Sequence, residues 1–426
     1  MLQSVKNARH PSLGLVNLQI KNGLIHAMGP DVALPEGEEG VLDAEGHYLL
    51  PGLVNAHTHA AMTLLRGYGD DMPLMEWLES RIWPAEAKLT EEDVYWGTKL
   101  ACMEMIRSGT LHFQDMYWHF HGVARAVEET GIRGGVGAIF IDAAGPDQAE
   151  QFKQQALTLF EERQRYSDRV EYILTPHAIY TVSPDTLRWV ANFSEKHQLP
   201  VHIHLSETAF EVQQCLDNHG VRPTQHLLNQ GLLTPRTFLA HGVHLEDAEL
   251  DLIAQHGATL VTNPVSNMKL AVGGFFPLNR AVEREIPIAM GTDGSASNNS
   301  LDLFQDMKTL ALVQKHGTGD PTAAPASLVW EIATGANAPL FAPHHDTPRR
   351  GELHVGQAAD FILVDLDHVE TTPTHSLTSN LVYAATGHQV QSAVVAGRLI
   401  MHNRLIPGEA ETKAEVAARA KRLCQN

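Results

Sequence analysis

The sequence predicts an α/β protein: a (β/α)8 TIM-type barrel over residues 53–349, with a small β-sandwich domain built from residues 1–52 and 350–426. Three observations carry this expectation. Short β segments occupy both ends of the chain. Between them, short apolar strands alternate with amphipathic helical stretches, the rhythm of parallel strands joined by crossover helices. That alternation gives eight strand ends, near His59, Asp115, Asp142, His177, His204, His241, Asn263 and Asp293. Nearly all carry polar residues, as expected at the C-terminal face of a barrel where active sites lie.

Taken in order, Gly14-Leu15-Val16-Asn17-Leu18-Gln19-Ile20 alternates as a strand, Lys21-Asn22-Gly23 signals a hairpin, and Leu24 to Met28 returns. In the middle, helices are predicted over Glu91 to Ser108, Gln148 to Arg165 and Pro184 to His197. Ser300 is the expected cap of the helix after the eighth strand. Near the C-terminus, Ala359 to Leu366 reads as an apolar strand and Ser392 to Met401 as a hairpin turning at Ala396-Gly397. An open, doubly wound sheet is the alternative architecture, but no Gly-x-Gly-x-x-Gly follows the first strand.

At 426 residues the chain can bury a large core, and 43% hydrophobic with 19% charged residues is an ordinary globular composition. The formal net charge of −19, from 31 Lys+Arg against 50 Asp+Glu, argues against a nucleic-acid partner, whose phosphates require clustered cations. No apolar segment approaches bilayer-spanning length, and no basic n-region followed by an apolar h-region opens the chain. A cytoplasmic protein without a membrane partner is expected. The cysteines, Cys102, Cys215 and Cys424, include no Cys-x-x-Cys and read as thiols of a reducing compartment. A homodimer is the base-rate expectation for assembly.

The chemistry begins at Ala56-His57-Thr58-His59. Alternate side chains on a strand share a side, so His57 and His59 can reach one metal ion. Val201-His202-Ile203-His204-Leu205-Ser206-Glu207 repeats the pattern. His204 at the strand end is the expected third ligand, and Glu207 the acid/base that handles the protons of an activated water. His202, deeper in the strand, reads as a hydrogen-bonded core histidine. His241 ends the sixth strand, either as a further ligand or as the group that polarises the water or substrate. Asp293 tips the eighth strand as a ligand and proton acceptor. These residue types suit one divalent metal, Zn2+ first, with Fe2+ or Mn2+ also compatible.

His57-x-His59, His204, His241 and Asp293 at the ends of strands 1, 5, 6 and 8 resemble the amidohydrolase superfamily, in its subgroup with a single divalent metal. Members with a metal pair usually carry a bridging lysine after strand 4, where this chain has Thr175-Pro176-His177-Ala178-Ile179-Tyr180. Within that superfamily the chain is similar to the 5′-methylthioadenosine/S-adenosylhomocysteine deaminases. The matching runs are Ala56 to Gly67, Trp77-Leu78, Trp83-Pro84-Ala85-Glu86, Pro176 to Tyr180, Asn263 to Leu270 and Gly291 to Asn299. The resemblance implies that Glu86 binds the ribose hydroxyls, His177 contacts the purine or its sugar, Trp77 packs beside the nucleoside and Arg133 lies near the pocket. Glu207 would protonate N1 of adenine, His241 polarise the attacking oxygen, and Asp293 carry the water proton to departing ammonia. The expected reaction converts adenine to hypoxanthine. The alternative is a relative acting on guanine, another purine base or a triazine.

The loop after strand 3, Asp142-Ala143-Ala144-Gly145-Pro146-Asp147-Gln148, contains two acids and no cation. The amino-acid tail of adenosylhomocysteine wants an arginine for its carboxylate. Methylthioadenosine, with an uncharged tail, is therefore the expected substrate ahead of adenosylhomocysteine and adenosine.

Overall fold

The computed structural model describes residues 1–34, 37, 39–336, 338 and 353–425. The expected domain boundary at 349/350 lies outside the described residues. The N-terminal strands are β1 (Ser4–His10), β2 (Gly14–Lys21), β3 (Leu24–Gly29), β4 (Val41–Asp43) and β5 (Tyr48–Pro51). The barrel strands follow: β6 (Leu53–Thr58), β7 (Thr110–Asp115), β8 (Arg133–Phe140), β9 (Val170–Pro176), β10 (Val201–Leu205), β11 (Thr237–His241), β12 (Thr259–Thr262) and β13 (Ile288–Met290). Near the C-terminus come β14 (Phe361–Val364), β15 (Val390–Val395) and β16 (Arg398–Met401).

β6 to β13 form one parallel sheet in sequence order, each strand pairing with the next. β6, β7, β10, β11 and β12 are buried along their whole length, as strands enclosed by helices outside and side chains inside must be. The sheet closes where β13 meets β6. Asp293 N–H donates to the His57 carbonyl at 3.0 Å, Thr292 N–H to Asn55 Oδ1 at 3.0 Å, and Asn55 Nδ2 to Thr292 Oγ1 at 2.8 Å. Gly291 permits this approach: a Cβ there would stand 2.7 Å from His57 Cβ.

The outer helices begin where local chemistry starts them. Thr90 and Asp93 form a capping box for Glu91–Arg107, Pro146 opens Pro146–Glu162, and Ser183 caps Pro184–His197. The helix after β13 is Leu303–Thr318, and its cap is Asp302, which accepts from Phe304 N–H; the expected cap, Ser300, instead accepts from Asp302 N–H.

The small β domain draws on both termini, and its strands hydrogen-bond as one mixed sheet in the order β16-β15-β14-β5-β1-β2-β3, with β4 on β1. Val5, Leu18, Ile25, Leu49, Phe361 and Val394 fill its core. Both anticipated hairpins turn on two residues with positive φ, Asn22-Gly23 (53° and 76°) and Ala396-Gly397 (48° and 69°), the geometry that matches strand twist. The terminal segment also reaches beyond this domain. Helix Glu409–Cys424, not anticipated from sequence, lies on the barrel: Arg419 and Arg422 pair with Asp93 at 3.3 and 2.5 Å.

Arg133 is not at the expected pocket. It opens β8, at the end of the strand opposite the site-bearing tip Phe140. There its buried guanidinium grips Asp360 of the β domain, with Nε and Nη2 donating at 2.7 and 3.3 Å. Asp360 also accepts from Ala396 N–H at 2.6 Å, so this ion pair ties the barrel floor to the β15–β16 turn.

Candidate active site and metal centre

The ends of β6, β10, β11 and β13 bring four imidazoles and one carboxylate together. Ring centroids of His57 lie 5.0 Å from His59, 4.9 Å from His204 and 5.4 Å from His241. His204 and His241 stack at 5.3 Å. Asp293 Oδ1 stands 3.4 Å from His57 Nε2 and 3.2 Å from His59 Nε2. Nitrogen and oxygen atoms of His57, His59 and Asp293, and of His57, His204 and His241, lie within 4.8 Å of one another in each trio.

Each ring is oriented from behind through Nδ1. His59 Nδ1 meets the Met116 carbonyl at 2.7 Å, and His204 Nδ1 the His177 carbonyl at 2.7 Å. His241 Nδ1 meets Asn267 Oδ1 at 2.8 Å, and His57 Nδ1 meets His202 Nε2 at 2.9 Å. With the proton on Nδ1, the Nε2 lone pair is free to ligate, and the backing partner fixes the tautomer. His202 is thus a hydrogen-bonded core histidine whose partner is a candidate ligand. Asp293 is held just as firmly. Its Oδ2 accepts from Ser266 Oγ at 2.6 Å and Ser297 Oγ at 3.0 Å, and its Oδ1 from Gly294 N–H at 2.8 Å. Asp293 and His241 both sit at positive φ, 62° and 74°, backbone strain concentrated at the site.

The residues fit a divalent cation. His57 Nε2 is fully buried without a hydrogen-bond partner, aimed at the centre. Burial alone would lower the His59 pKa, yet Asp293, the Met116 carbonyl and Asp115 raise it to about 9. Burial brings His57 down to about 4. Burial also opposes ionisation of Asp293, but His57 and His59 hold its carboxyl well below the usual range. The Asp293 carboxylate thus favours positive charge beside His57 Nε2 and His59 Nε2, the charge that a bound cation would supply.

Glu207 projects from the turn after β10, its Oε2 3.9 Å from His241 Nε2. Burial raises its pKa, with Asp293 adding to the rise and His241 opposing it. A carboxyl whose pKa is raised holds its proton more firmly than a solvated one, which suits it to proton donation. His177 lies beside His204, ring centroids 4.8 Å apart, and burial brings its pKa to about 3, so it acts as a neutral imidazole. Its Nδ1 is 2.9 Å from Thr181 Oγ1. Glu86 is half-buried; burial raises its pKa while Tyr117, His59 and Trp118 lower it, which sets its carboxyl in the neighbourhood of the cluster. Trp77 is buried in the hydrophobic core beneath Gly69, one residue before a π-helical turn over Leu78–Ile82 that leads to Glu86. The loop after β8 carries no cation, and Asp142 is committed to Ser183 and Thr186, accepting from Ser183 N–H at 2.6 Å and from their hydroxyls at 2.5 and 2.6 Å.

Sequence reasoning missed Asn267, Ser266 and Ser297, which orient His241 and Asp293, and Glu211 behind Glu207. The signal for the first two was present in the run Asn263-Pro264-Val265-Ser266-Asn267, a helix start directly after a barrel strand.

The class of protein follows from this barrel and its histidine–aspartate cluster: the chain belongs to the amidohydrolase family, whose model matches residues 48–400. Within it the chain groups with adenosine-type deaminases, hydrolases of carbon–nitrogen bonds, and the donor atoms of the cluster fit a divalent cation. It is 45% identical over 392 residues to a 5-methylthioadenosine/S-adenosylhomocysteine deaminase of Syntrophobacter fumaroxidans, covering 90% of this chain and 88% of the relative. A 5′-deoxyadenosine deaminase of Methanoregula boonei is 47% identical over 388 residues, covering 90% and 86%. Among solved structures, an adenosine deaminase from Xanthomonas campestris with bound zinc superposes with a TM-score of 0.89 at 34% identity, covering 99% of this chain and 98% of the other. No described helix is long and apolar enough to cross a membrane.

Proposed function

We propose that the protein is a zinc-dependent deaminase of adenine nucleosides with an uncharged 5′ substituent, methylthioadenosine first, producing the hypoxanthine nucleoside and ammonia. The carrying observation is that Glu207, a buried carboxyl whose pKa burial raises, stands beside the histidine–aspartate cluster with its Oε2 3.9 Å from His241 Nε2. His57, His59, His204 and Asp293 would hold the ion. When bound, it would supply Lewis acidity that brings a water's pKa toward neutrality. Glu207 gives its proton to N1 of the adenine, drawing electrons from C6. Asp293 accepts one proton of the attacking water as the C6–O bond forms and returns it to the exocyclic nitrogen, which leaves as ammonia when the C6–N bond breaks; the water's second proton leaves O6 as the carbonyl forms and reprotonates Glu207. His241 holds the incoming oxygen in line, and Ser266 and Ser297 keep the Asp293 carboxylate turned toward it.

On the nucleoside side, Glu86 receives the ribose hydroxyls and neutral His177 the sugar or purine edge. The cation-free loop after β8, with its Asp142 already consumed, supports the uncharged tail. The relative named as a 5′-deoxyadenosine deaminase points the same way. The test is an ultraviolet assay with methylthioadenosine, 5′-deoxyadenosine, adenosylhomocysteine, adenosine and guanine on zinc-loaded protein. The highest kcat/KM is expected for the first two; a higher value for adenosylhomocysteine overturns the tail assignment, and turnover of guanine alone overturns the nucleoside assignment. Glu207→Gln should lower kcat by about a thousandfold, leaving a residual turnover that can still be measured.

A further inference from the structure

Glu211 is fully buried in the first turn of helix Ala209–His219, and the chemistry above gives it no task. Its two carboxylate oxygens take the backbone N–H groups of consecutive residues: Oε1 accepts from Ser206 at 2.9 Å, and Oε2 from Glu207 at 2.8 Å. Ser206 sits at φ 48°, in the left-handed region that a serine adopts only at a cost. The turn that swings the chain out of β10 and presents Glu207 is therefore a strained one, and the two oxygens of one buried carboxyl span both of its N–H groups. Thr208, between them, caps the same helix by accepting from Glu211 N–H at 3.1 Å, so the clamp is locked to the helix it grows from. Ser206 is locked from the other side as well, its carbonyl accepting from Val243 and His244 N–H at 3.1 and 2.9 Å.

We propose that Glu211 is a positioning residue for the reaction: by holding the Ser206–Glu207 turn, it sets where the Glu207 carboxyl stands relative to N1 of the bound adenine. This rests on Glu207 being the proton donor. A neutral amide offers only one acceptor oxygen to two N–H groups, and its NH2 repels the second. Glu211→Gln should thus release the turn while preserving volume.

The experiment is a double-mutant cycle on the zinc-loaded protein, with Glu211→Gln, Glu207→Gln and the double variant. Glu211→Gln is expected to lower kcat by about 10- to 100-fold, with KM, bound zinc and melting behaviour near those of the parent. In the Glu207→Gln background the same change should cost less than twofold in residual turnover, because there is no longer a proton donor to position. An analogue with a tetrahedral, hydroxylated C6 should lose affinity for Glu211→Gln by the same factor as kcat, whereas the hypoxanthine product should bind as before. Equal losses in both backgrounds, or a kcat within twofold of the parent, overturn the proposal. Should Glu211→Gln fold poorly, Glu211→Asp, which keeps the charge but is one carbon too short to span both N–H groups, is read by the same criteria. Full activity in Glu207→Gln would instead remove the proton-donor reading itself, an outcome distinct from failure of Glu211→Gln alone.

Discussion

Arg133→Met should damage stability and leave catalysis intact. The substitution keeps an unbranched stem but removes the guanidinium that grips Asp360 at 2.7 and 3.3 Å. The side chains of the pair are 9% and 14% exposed, so solvent cannot take over the lost charge. Removing one partner of a buried ion pair costs about 3–5 kcal/mol, because the survivor stays charged in a poorly hydrated place. Asp360 keeps the Ala396 N–H, which moves the expectation to the lower end, about 3 kcal/mol. Thermal unfolding followed by circular dichroism should show a melting point several degrees lower. Asp360→Asn added to Arg133→Met should cost less than the two single changes sum to, since the pair they share is already broken. KM for the nucleoside should stay within twofold of the parent. An unchanged melting point together with a tenfold rise in KM would refute this placement and put Arg133 in the pocket after all.

Asp293→Asn should lower kcat by about a thousandfold and reduce bound zinc, read by steady-state kinetics and elemental analysis, since the amide neither balances the His57–His59 pair nor accepts a proton. His202→Leu, which leaves His57 Nδ1 without its 2.9 Å partner, should weaken metal affinity about 10- to 100-fold in a chelator competition; unchanged affinity would show that His57 needs no support from below. Burial raises the Asp306 carboxyl to about 8, against bonds from Val265 N–H and Asn298. A carboxyl raised above its unfolded value stabilises the fold below about pH 4 and loses that contribution as pH rises through about 8. The melting point should accordingly decline from roughly pH 5 to pH 9, and Asp306→Asn should flatten the decline; an identical slope in both proteins would exclude Asp306 as its source.

What the sequence disclosed was whatever obeys strict periodicity. His57 and His59, like His202 and His204, are two residues apart on strands, so their shared side was a matter of pleat geometry, and Asp293 was marked by its place at a strand tip. Both hairpin turns were readable because Asn22-Gly23 and Ala396-Gly397 answer a demand for positive φ. The misplacement of Arg133 was avoidable. Gly131 ends the preceding helix, so a residue two positions later must open the next strand, at the barrel's far end from the site. The roles of Glu211 and Ser297 were not readable, because their partners are single backbone or side-chain atoms brought near by turns whose φ values no periodicity encodes. Helix Glu409–Cys424 was missed for a different reason: its contacts are ion pairs to a helix more than 300 residues earlier, and only Thr412, Val416 and Leu423 are buried on it.

The barrel seam has a consequence for the order in which the protein becomes competent. The bond from Asp293 N–H to the His57 carbonyl joins the first barrel strand to the segment just after the last, and the side chains of those same two residues meet at 3.4 Å in the candidate metal centre. Closing the cylinder and assembling the coordination sphere are thus a single event. A chain still being synthesised can seat seven strands and own His57, His59, His204 and His241, yet it lacks the one anion that balances them until residue 293 has been added and docked. A divalent cation bound there would act as a clasp across the join, and its removal should loosen the seam before any other part of the wall.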